Sequence, residues 1–521
     1  KHTINAVLGQ SYQDSFRSSN TAARQGLIST ASGVFLTNVS SGIIIAKADG
    51  ETSQSRLASY FGRVNYSYDG KYLLQATVRA DGSSRFAPGH KWGVFPSISA
   101  GWRISKEDFW NVSWMNDLKL RYSYGQLGSQ NVGYYDYQMY INNYAQYLFD
   151  GGKGDITHGQ TMVKLSNQNL TWERLEQTNA GIDLGVLDNR LQISAEYFNS
   201  TSHNVLTALN LLMTTGNGGG NPYVNAASIR NSGVEITATW RDQVNKDFSY
   251  SISANLSHSQ NKLLDFGYGK TEQYTDYTTT RVGEPIGMFY MIHTTGIFQS
   301  QAEVDSYVGK DGTPIQPTAK PGDLKYEDFN GDGAITTADR QVAGSPWAKL
   351  DAGINFSANY KNWDLGTYFY YSIGNDLYKH YEFYTLWGQL GGGAVYSNER
   401  VNNSWDPTTK QGELPVFIAG DTHPEAAQSH SGYIADGSYL RMQTLTLGYT
   451  LPKNITKKLT LSKIRLYAQL SNVFTLTSYK GLDPEVRSDD GAGNANDRMK
   501  GVDYGSYGMP RQYLFGVNVE F

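Results

Sequence analysis

Hydrophobic and polar residues alternate with a period of two along much of this chain. The alternation recurs in the segments 72–79, 234–240, 248–256, 350–360, 464–470 and 513–521. Successive side chains of a β-strand point to opposite faces of the sheet, so this period predicts strands with one apolar and one polar face. About fourteen such segments occur, and each is long compared with a globular strand of five or six residues.

The connections between the predicted strands alternate between short and long. The short ones carry turn-forming residues, as in Asp69-Gly70 and Asn245-Lys246-Asp247. The long ones cover about 16–54, 80–92, 132–170, 207–227, 268–346, 379–437 and 479–509. This regular alternation is typical of outer-membrane barrels, in which short periplasmic turns alternate with long extracellular loops. The sequence therefore predicts that residues 1–521 are all-β and form a transmembrane antiparallel β-barrel or part of one.

The segment 511–521 ends the chain in an alternating strand. Tyr513, Phe515 and Phe521 share one parity with two valines. In a closed barrel the last strand must pair with the first, because an open edge cannot be tolerated in lipid. If the loop 479–509 is extracellular, counting back through about fourteen strands makes the first strand run outward from a periplasmic element. An even number of strands alone cannot establish closure of the barrel.

The composition agrees with a wall between lipid and water. Charged residues make up 18% of the chain and aromatic residues 13%, with 38 Tyr, whereas soluble domains carry about a quarter charged residues. Tyr and Trp favour the membrane–water interface. The net charge of −4 without a concentrated basic patch argues against a nucleic-acid partner. The absence of cysteine excludes a disulfide scaffold, and no apolar run reaches the roughly eighteen residues of a transmembrane helix.

Seven phrases spread over most of the chain carry a family resemblance. They are RADGSSRFAPGHKWGVFPSISAGWRISKEDFW (79–110), WERLEQTNAGIDLGVLDNRLQISAEYFNSTSHNVL (172–206), RNSGVEI (230–236), GDLKYEDFNGDGAITTADR (322–340), YLRMQTLTLGYTLP (439–452), LSNVFTLTSYKGLDPEV (470–486) and GVDYGSYGMPRQYLFGVNVEF (501–521). Together they resemble the SusC/RagA family of TonB-dependent outer-membrane transporters. The resemblance covers the C-terminal portion of that family's barrel. Because such barrels have 22 strands around a plug, the resemblance implies about 14 of the 22 strands here, without the plug domain. It also implies that the partner of the last strand is not found between Lys1 and Tyr12.

The resemblance implies an active importer in the outer membrane of a Gram-negative bacterium. SusC-like barrels lie beneath a SusD-like surface lipoprotein that acts as a lid, and they import oligosaccharides or, in some members, peptides. The expected partners are therefore the lipoprotein, the remaining N-terminal barrel and plug segment, TonB acting through that segment, and the cargo. Resemblance to outer-membrane proteins also implies that the last strand, with Tyr513, Phe515 and Phe521, is an assembly signal.

An Asp/Asn/Gly-rich stretch at 328–339 fits the calcium-loop pattern D-x-[DN]-x-[DN]-G. Oxygen ligands at positions 1, 3, 5, 7 and 12 of such a loop suit a hard cation. Here they are the side chains of Asp328, Asn330, Asp332 and Asp339 and the main-chain carbonyl of Ala334. Position 12 is Asp instead of Glu, and strands flank the loop instead of paired helices. The sequence predicts a candidate structural Ca²⁺ site, with a loop that caps its own backbone as the alternative.

Two predicted loops concentrate aromatic side chains. The first, 132–150, carries Tyr134, Tyr135, Tyr137 and Tyr140, and the second, 379–405, carries Tyr381, Phe383, Tyr384, Trp387 and Trp405. Aromatic faces among amides suit sugar rings and peptide side chains, and they equally suit a large protein interface such as one beneath a lid. We expect contact with ligand or lid, and the alternative is that the loops pack on themselves.

The sequence carries no motif of a known catalytic site. Its His residues stand in no metal-ligand spacing, and it contains neither G-x-S-x-G nor a Walker loop, so we expect no enzymatic activity. Three other classes stay open: a passive outer-membrane porin, a siderophore-type TonB-dependent receptor, and a soluble carbohydrate-binding β-protein. A propeller is disfavoured because it shows repeats of about forty residues, which this chain lacks.

Overall fold

A computed structural model describes residues 1–25, 44–149, 155–209, 211–212, 214, 221–387, 396–417, 429–488 and 496–521. Its main feature is one sheet of 14 strands in which each strand neighbours the next one in chain order. The strands are β1 (His2–Gln25), β2 (Ile44–Tyr68), β3 (Tyr72–Ser83), β4 (Trp92–Arg103), β5 (Met115–Ser129), β6 (Glu173–Val186), β7 (Leu191–Ala208), β8 (Tyr223–Gln243), β9 (Phe248–Asp265), β10 (Leu350–Tyr360), β11 (Trp363–Ile373), β12 (Tyr439–Thr450), β13 (Lys463–Thr477) and β14 (Gln512–Glu520). The predicted all-β class and the predicted number of strands are confirmed.

The two ends of the strand order are β1 and β14. Within the described residues, β14 pairs with β13 alone, from Lys463↔Glu520 to Ser471↔Gln512. β1 pairs antiparallel with β2, starting at His2↔Tyr68. The expectation that the segment from Lys1 to Tyr12 does not pair with the last strand is therefore confirmed.

The apolar face of the sheet is exposed, as expected for a surface that contacts lipid. Ile354 in β10 is 47% exposed, Ile252 in β9 is 40% exposed and Leu466 in β13 is 44% exposed. In a soluble sheet these alternating positions would form the core. Their exposure, strand after strand, agrees with an outward apolar band and a polar inner face.

The short connections form tight turns, as predicted. Between β2 and β3, Asp69 and Gly70 have φ of 53° and 65°. Two successive positive φ values give a type I′ turn, whose twist matches that of the flanking strands. Between β10 and β11, Lys361 has φ of 52°, and the strands remain paired up to Tyr360↔Trp363.

The predicted loop 16–54 is wrong in its bounds, because strand pairing continues well beyond the apolar alternation. β1 runs to Gln25 and β2 begins at Ile44. The pairing extends to Gln25↔Ile44, with a register shift between Ala23 and Arg24. Two strands can satisfy each other's backbone hydrogen bonds without an apolar face, so a polar sequence can still continue a ladder. The part of this loop at 26–43 lies outside the described residues.

Several long connections contain short strands that the sequence did not predict. Tyr140–Leu148 pairs with Ile156–Lys164, Thr294–Ile297 with Leu324–Tyr326, and Asp376–Tyr378 with Ile434–Asp436. A separate four-stranded sheet contains Glu272–Tyr274, Thr278–Arg281, Met288–Ile292 and Arg340–Gly344. These loops are therefore folded structures of their own.

Helices are few and short in the described residues. The α-helices are α1 (Gln301–Ser306), α2 (Asn398–Asn403) and α3 (Lys453–Thr456), with one π-helical turn at Phe383–Trp387. Single 3₁₀ turns occupy Ile104–Lys106, Thr337–Asp339, Ser431–Tyr433, Lys457–Leu459 and Asp497–Met499. Within the part of the chain that the structure describes, no helix is long and apolar enough to cross a membrane.

The chain divides into two compact units. The first consists of residues 1–102, 122–178 and 200–228. Its buried cluster is built on Phe86, Phe95 and Trp172, whose rings are 5.3 Å (Phe86–Trp172) and 5.5 Å (Phe95–Trp172) apart. The second unit consists of residues 103–121, 179–199 and 229–521. Its core lies in the long connections and is described below.

Candidate functional site

The polar face of the sheet in the second unit carries paired charges. Arg465 of β13 holds Asp364 of β11 with both ends of its guanidinium, at 2.8 Å from Nε to Oδ1 and 2.5 Å from Nη2 to Oδ2. Such a two-point contact fixes the geometry of both side chains. A charged face of this kind is typical of the inner wall of a barrel, where polar cargo passes.

A second charged group on this face joins strands β5, β6 and β7. Asp183 accepts hydrogen bonds from Arg121 Nε at 3.2 Å, Lys119 Nζ at 3.3 Å and Ser194 Oγ at 2.8 Å. Arg121 also pairs with Glu196. The positive and negative side chains pair with one another, so the charges of this group are balanced.

Arg441 anchors one outer loop onto the sheet. Its side chain is only 2% exposed and binds Asp483 at 2.5 Å and Glu485 at 2.7 Å. Its Nε donates to Thr475 on the neighbouring strand at 3.0 Å. A buried guanidinium needs such partners, since an unpaired buried charge is strongly destabilising. The loop that follows β13 is therefore held to the start of β12 by an ionic contact.

The outer loops of the second unit share one hydrophobic core. Its buried residues come from the connections after β9, β11 and β13, and they include Phe289, Met291, Ile292, Tyr378, Trp387, Tyr433 and Val502. Aromatic rings stack within it, with centroids 4.6 Å apart for Tyr277–Tyr378 and 5.1 Å for Tyr378–Tyr433. We call this the loop core. Because these connections pack on a common core, they form an ordered surface.

Burial in the loop core shifts the pKa values of its ionisable side chains. It raises the pKa of Tyr277 to about 12, with smaller contributions from neighbouring Tyr504 and Asp276. Burial lowers the pKa of His380, although Asp276 acts in the opposite direction. Both shifts favour the uncharged form of the side chain, so these rings are neutral at pH 7.

The predicted aromatic contacts of the second loop fall into two groups. Trp387 and Trp405 are 6% and 5% exposed, and their indole nitrogens donate to Glu382 and Gln299. The expectation that these two tryptophans contact ligand or lid is corrected. They pack within the loops, because burial of a large aromatic ring stabilises the fold more than exposure of the ring to water does.

The other aromatic residues of the second loop remain accessible to differing extents. Tyr384 is 53% exposed and Phe383 is 38% exposed, and their rings meet edge to face at 5.0 Å. Tyr381 is partly buried, and burial raises its pKa to about 12. Among the five aromatic residues predicted for this loop, Phe383 and Tyr384 are thus the most exposed.

The aromatic residues of the first loop belong to the first unit. Arg85 lies over the ring of Tyr134 at 4.7 Å, and Tyr135 is 36% exposed. Tyr137 packs against that unit's buried cluster. Tyr140 begins the strand Tyr140–Leu148, and its side chain lies outside the described part. Contact with ligand or lid stays a prediction for this loop.

In the candidate calcium loop, the carboxylates accept hydrogen bonds from the loop backbone. Asp328 accepts from Gly331 at 2.8 Å and from Gly333 at 3.0 Å. Asp339 is fully buried and accepts from Thr336 at 2.7 Å and Asn330 at 3.3 Å. These carboxylates therefore cap the backbone of their own loop, as the alternative interpretation of the sequence expects.

The remaining predicted ligands of the loop also make contacts within it. Asp332 accepts from the backbone of Ala334 at 3.0 Å and from the amide of Asn330 at 2.9 Å. No group of three acidic, His or Cys side chains in the described residues has metal-holding geometry. Each carboxylate has about four lone-pair sites, so these hydrogen bonds leave room for a cation, and calcium binding stays a prediction.

The residues of the predicted assembly signal lie on β14 or just after it. Tyr513, Phe515 and Phe521 are 67%, 80% and 94% exposed. β14 is the last strand of the sheet order, and eight of its nine residues are exposed. The assembly role stays a prediction.

Comparison with known proteins defines the class of this chain. The family model "TonB dependent receptor-like, beta-barrel" matches residues 2–473, and the chain belongs to that family. Within it, the chain is of the SusC/RagA type, which confirms the resemblance found in the sequence.

Curated relatives and solved structures support this assignment. The TonB-dependent receptor P3 of Formosa agariphila is 30% identical over 533 residues, covering 100% of this chain and 51% of the relative. The TonB-dependent receptor SusC of Bacteroides thetaiotaomicron is 29% identical over 476 residues, covering 90% and 44%. The RagAB peptide transporter has the same fold, with a TM-score of 0.79 and 23% identity over 100% of this chain and 54% of that chain. The chain spans about half the length of these relatives.

Proposed function

We propose that this chain forms the C-terminal barrel portion of a TonB-dependent importer in the outer membrane of a Gram-negative bacterium. Its cargo is an oligosaccharide or a peptide, and a SusD-like lipoprotein covers its outer loops. The proposal is carried by the family match over residues 2–473. The exposed apolar face, the charged polar face and the folded outer loops support it, because import needs a wall, a polar path and a docking surface.

Purification of the full-length, tagged protein from native outer membranes tests this proposal. We expect a SusD-like lipoprotein and a retained oligosaccharide or peptide in the mass spectra of the purified material. Recovery of the barrel without a lipoprotein would remove the lid from the mechanism. Recovery of an open, unplugged barrel would replace the importer with a passive porin.

The exposed residues Phe383 and Tyr384 are the proposed lid contact. Changing both to Ala removes an aromatic surface next to the loop core without touching its buried residues. We expect less co-purified lipoprotein, since aromatic residues are enriched in such interfaces. The matched control is Tyr268→Ala, which removes an aromatic residue that is 71% exposed in the same unit. Equal losses in both variants would contradict the assignment.

The stretch 328–339 is the proposed structural calcium site. Replacing both Asp328 and Asp332 by Ala removes side-chain oxygens from two of the five predicted ligand positions. We expect elemental analysis of the purified protein to show one calcium ion in the wild type and none in the variant. Asp311→Ala is the control, since Asp311 also accepts backbone hydrogen bonds in a nearby turn. A wild-type protein without calcium would leave the loop as a self-capped turn.

A further inference from the structure

The connection between β12 and β13 is the most basic of the short connections in the sheet. It covers residues 451–462 and contains Lys453, Lys457 and Lys458 but no acidic residue. The other short connections are close to neutral, because their basic residues are accompanied by acidic ones, as in Asn245-Lys246-Asp247. Positive charge is therefore concentrated at one place along this edge of the sheet. We call residues 451–462 the basic turn.

The three lysines of the basic turn are exposed on an ordered stretch of backbone. Thr456 is 1% exposed, its N–H donates to the carbonyl of Pro452 at 3.3 Å, and its carbonyl accepts from the N–H of Leu461 at 3.1 Å. The three lysines are exposed, and among the described residues none of them forms an ion pair. The next lysine, Lys463, pairs with Glu520 at 3.6 Å. The three charges are thus available to a partner.

Aromatic side chains lie directly beside the basic turn on the apolar face of the sheet. Trp363 at the start of β11 and Tyr449 near the end of β12 are cross-strand partners, and their ring centres are 4.7 Å apart. Trp363 is 48% exposed. Trp and Tyr concentrate where the hydrocarbon of a membrane meets water. The basic turn begins two residues after Tyr449, so its lysines lie at the level of the lipid headgroups.

The neighbouring turn between β10 and β11 adds a fourth cation. Lys361 is exposed, and its Nζ lies 5.5 Å from the centre of the Tyr360 ring. The N–H of Thr450 donates to the carbonyl of Asn362 at 2.8 Å, which places this turn next to the start of the basic turn. Tyr360 is 52% exposed and continues the row of interfacial rings. Lysines and aromatic rings therefore occur together over two adjacent turns.

Ile455 gives the basic turn an apolar group as well. Its side chain is 44% exposed and stands in sequence between Lys453 and Lys457. A surface that combines exposed apolar side chains with lysines suits the boundary between headgroups and acyl chains. The apolar stems of lysines can also lie along that boundary while the ammonium groups reach the phosphates. An acidic polymer in water would use the charges but not Ile455.

We propose that the basic turn, together with Lys361, binds the phosphate groups of anionic phospholipids in the leaflet next to the short turns. Under the proposed function, on which this rests, that leaflet is the periplasmic one of the outer membrane. The binding goes beyond import, because it concerns the lipid around the barrel and not the cargo. An ammonium group is a compact cation with three N–H donors, and a surface with net negative charge attracts it more strongly than a zwitterionic one does.

Lipid retention by the purified full-length protein tests the proposal. The protein is reconstituted into nanodiscs of phosphatidylglycerol and phosphatidylethanolamine in equal amounts, and native mass spectrometry identifies the lipids that remain bound. We expect the wild type to retain phosphatidylglycerol preferentially. The combined change Lys453→Gln, Lys457→Gln and Lys458→Gln should lower this preference at least about fivefold, which is the contribution of a single lysine at an anionic surface. Lys458→Gln alone is the second variant in case the triple variant does not assemble, and it should act in the same direction.

Two further triple variants separate charge from folding and from position. Changing the same three lysines to Arg keeps the charge and should preserve the preference. The matched control changes three exposed lysines of the long connections, Lys310, Lys320 and Lys410, to Gln, and it should also behave as the wild type does.

Three outcomes would overturn the lipid assignment. The first is an unchanged preference in the Gln variants of the basic turn, and the second is an equal loss in the control variant. The third is unchanged lipid retention with lost binding to isolated peptidoglycan, which would assign the basic turn to the cell wall. Absence of the wild type from outer-membrane fractions would instead contradict the proposed function itself.

Discussion

At the scale of single residues, Arg441 shows what the sequence could and could not reveal. In YLRMQTLTLGYTLP, Arg441 has the same parity as Leu445 and Leu447, and only the register shift between Met442 and Thr444 moves it to the opposite face of the sheet. Its partners Asp483 and Glu485 follow 42 and 44 residues later, beyond the reach of any local pattern. Periodicity specifies the face of a residue only where the strand is regular, and contacts between loops depend on the folded chain.

We expect Arg441→Met to destabilise the loop that follows β13. The substitution keeps much of the side-chain volume but leaves Asp483, which is 9% exposed, without its cation. Breaking a buried pair in this way costs about 3 kcal/mol. Hydrogen exchange of the peptide covering 479–488 should become faster, and the thermal unfolding midpoint should fall.

Lys480→Met is the control for this loop. Lys480 pairs with Glu399 at 2.9 Å, but its side chain is 75% exposed. Exposed ion pairs contribute little to stability, so this variant should behave as the wild type does. Equal effects of the two substitutions would mean that the buried contact does not anchor the loop.

We expect the loop core to loosen in mild acid because of His380. Burial lowers the pKa of His380 below its ordinary value of 6.5. Below pH 6.5 the opened loops therefore bind more protons than the packed loops, and stability falls as the pH falls. Well above pH 6.5, His380 is neutral in both the packed and the opened loops, so it causes no loss of stability there.

Hydrogen exchange of loop-core peptides between pH 7.5 and 5, corrected for intrinsic rates, measures this effect. Burial raises the pKa of Glu382, so this residue makes the packed loops more stable as the pH falls. Glu382 is present in both the wild type and the variant, so its effect cancels in the comparison. His380→Phe should reduce the loss of protection on acidification. The same pH dependence in wild type and variant would contradict the role of His380.

At the scale of elements, the strands were predictable and the folded loops were not. The sheet strands have one apolar and one polar face, so the alternation can be read in the sequence. Short strands such as Thr278–Arg281, whose residues are mostly buried, carry no such contrast between faces. The extension of β1 to Gln25 was also missed, because pairing between strands needs only the backbone.

Adjacent substitutions in β10 test the assignment of the two faces. Ile354→Arg places a charge on the exposed apolar face, which costs about 2–4 kcal/mol at the membrane midplane. Asn355→Arg places the same charge on the polar face, where water solvates it. We expect the first variant to lower the amount of folded protein in outer-membrane fractions and the second to leave it nearly unchanged. Similar losses in both would contradict the orientation of the sheet.

Removal of Phe521 tests the predicted assembly signal. The residue is 94% exposed and lies beyond the last paired position of β14, so it contributes little to the packing of the folded sheet. We expect a large drop in outer-membrane insertion with a nearly unchanged unfolding temperature of the protein that does insert. A fall in stability that matches the fall in insertion would indicate a structural role instead.

At the scale of the whole molecule, the family is established and the activity is proposed. The match over residues 2–473 defines the barrel family, while the chain spans about half the length of its curated relatives. Sequence motifs were sufficient for the family because its phrases are spread along the chain. They were insufficient for the cargo, because cargo recognition depends on contacts between side chains that are far apart in the sequence.

The dependence of uptake on TonB is the most direct test of this account. The cargo that co-purifies with the full-length protein is labelled, and its accumulation is followed in cells with and without TonB. We predict that cargo still binds at the cell surface without TonB, whereas accumulation inside the outer membrane is lost. Accumulation at the same rate in both strains would show passive diffusion and contradict the importer.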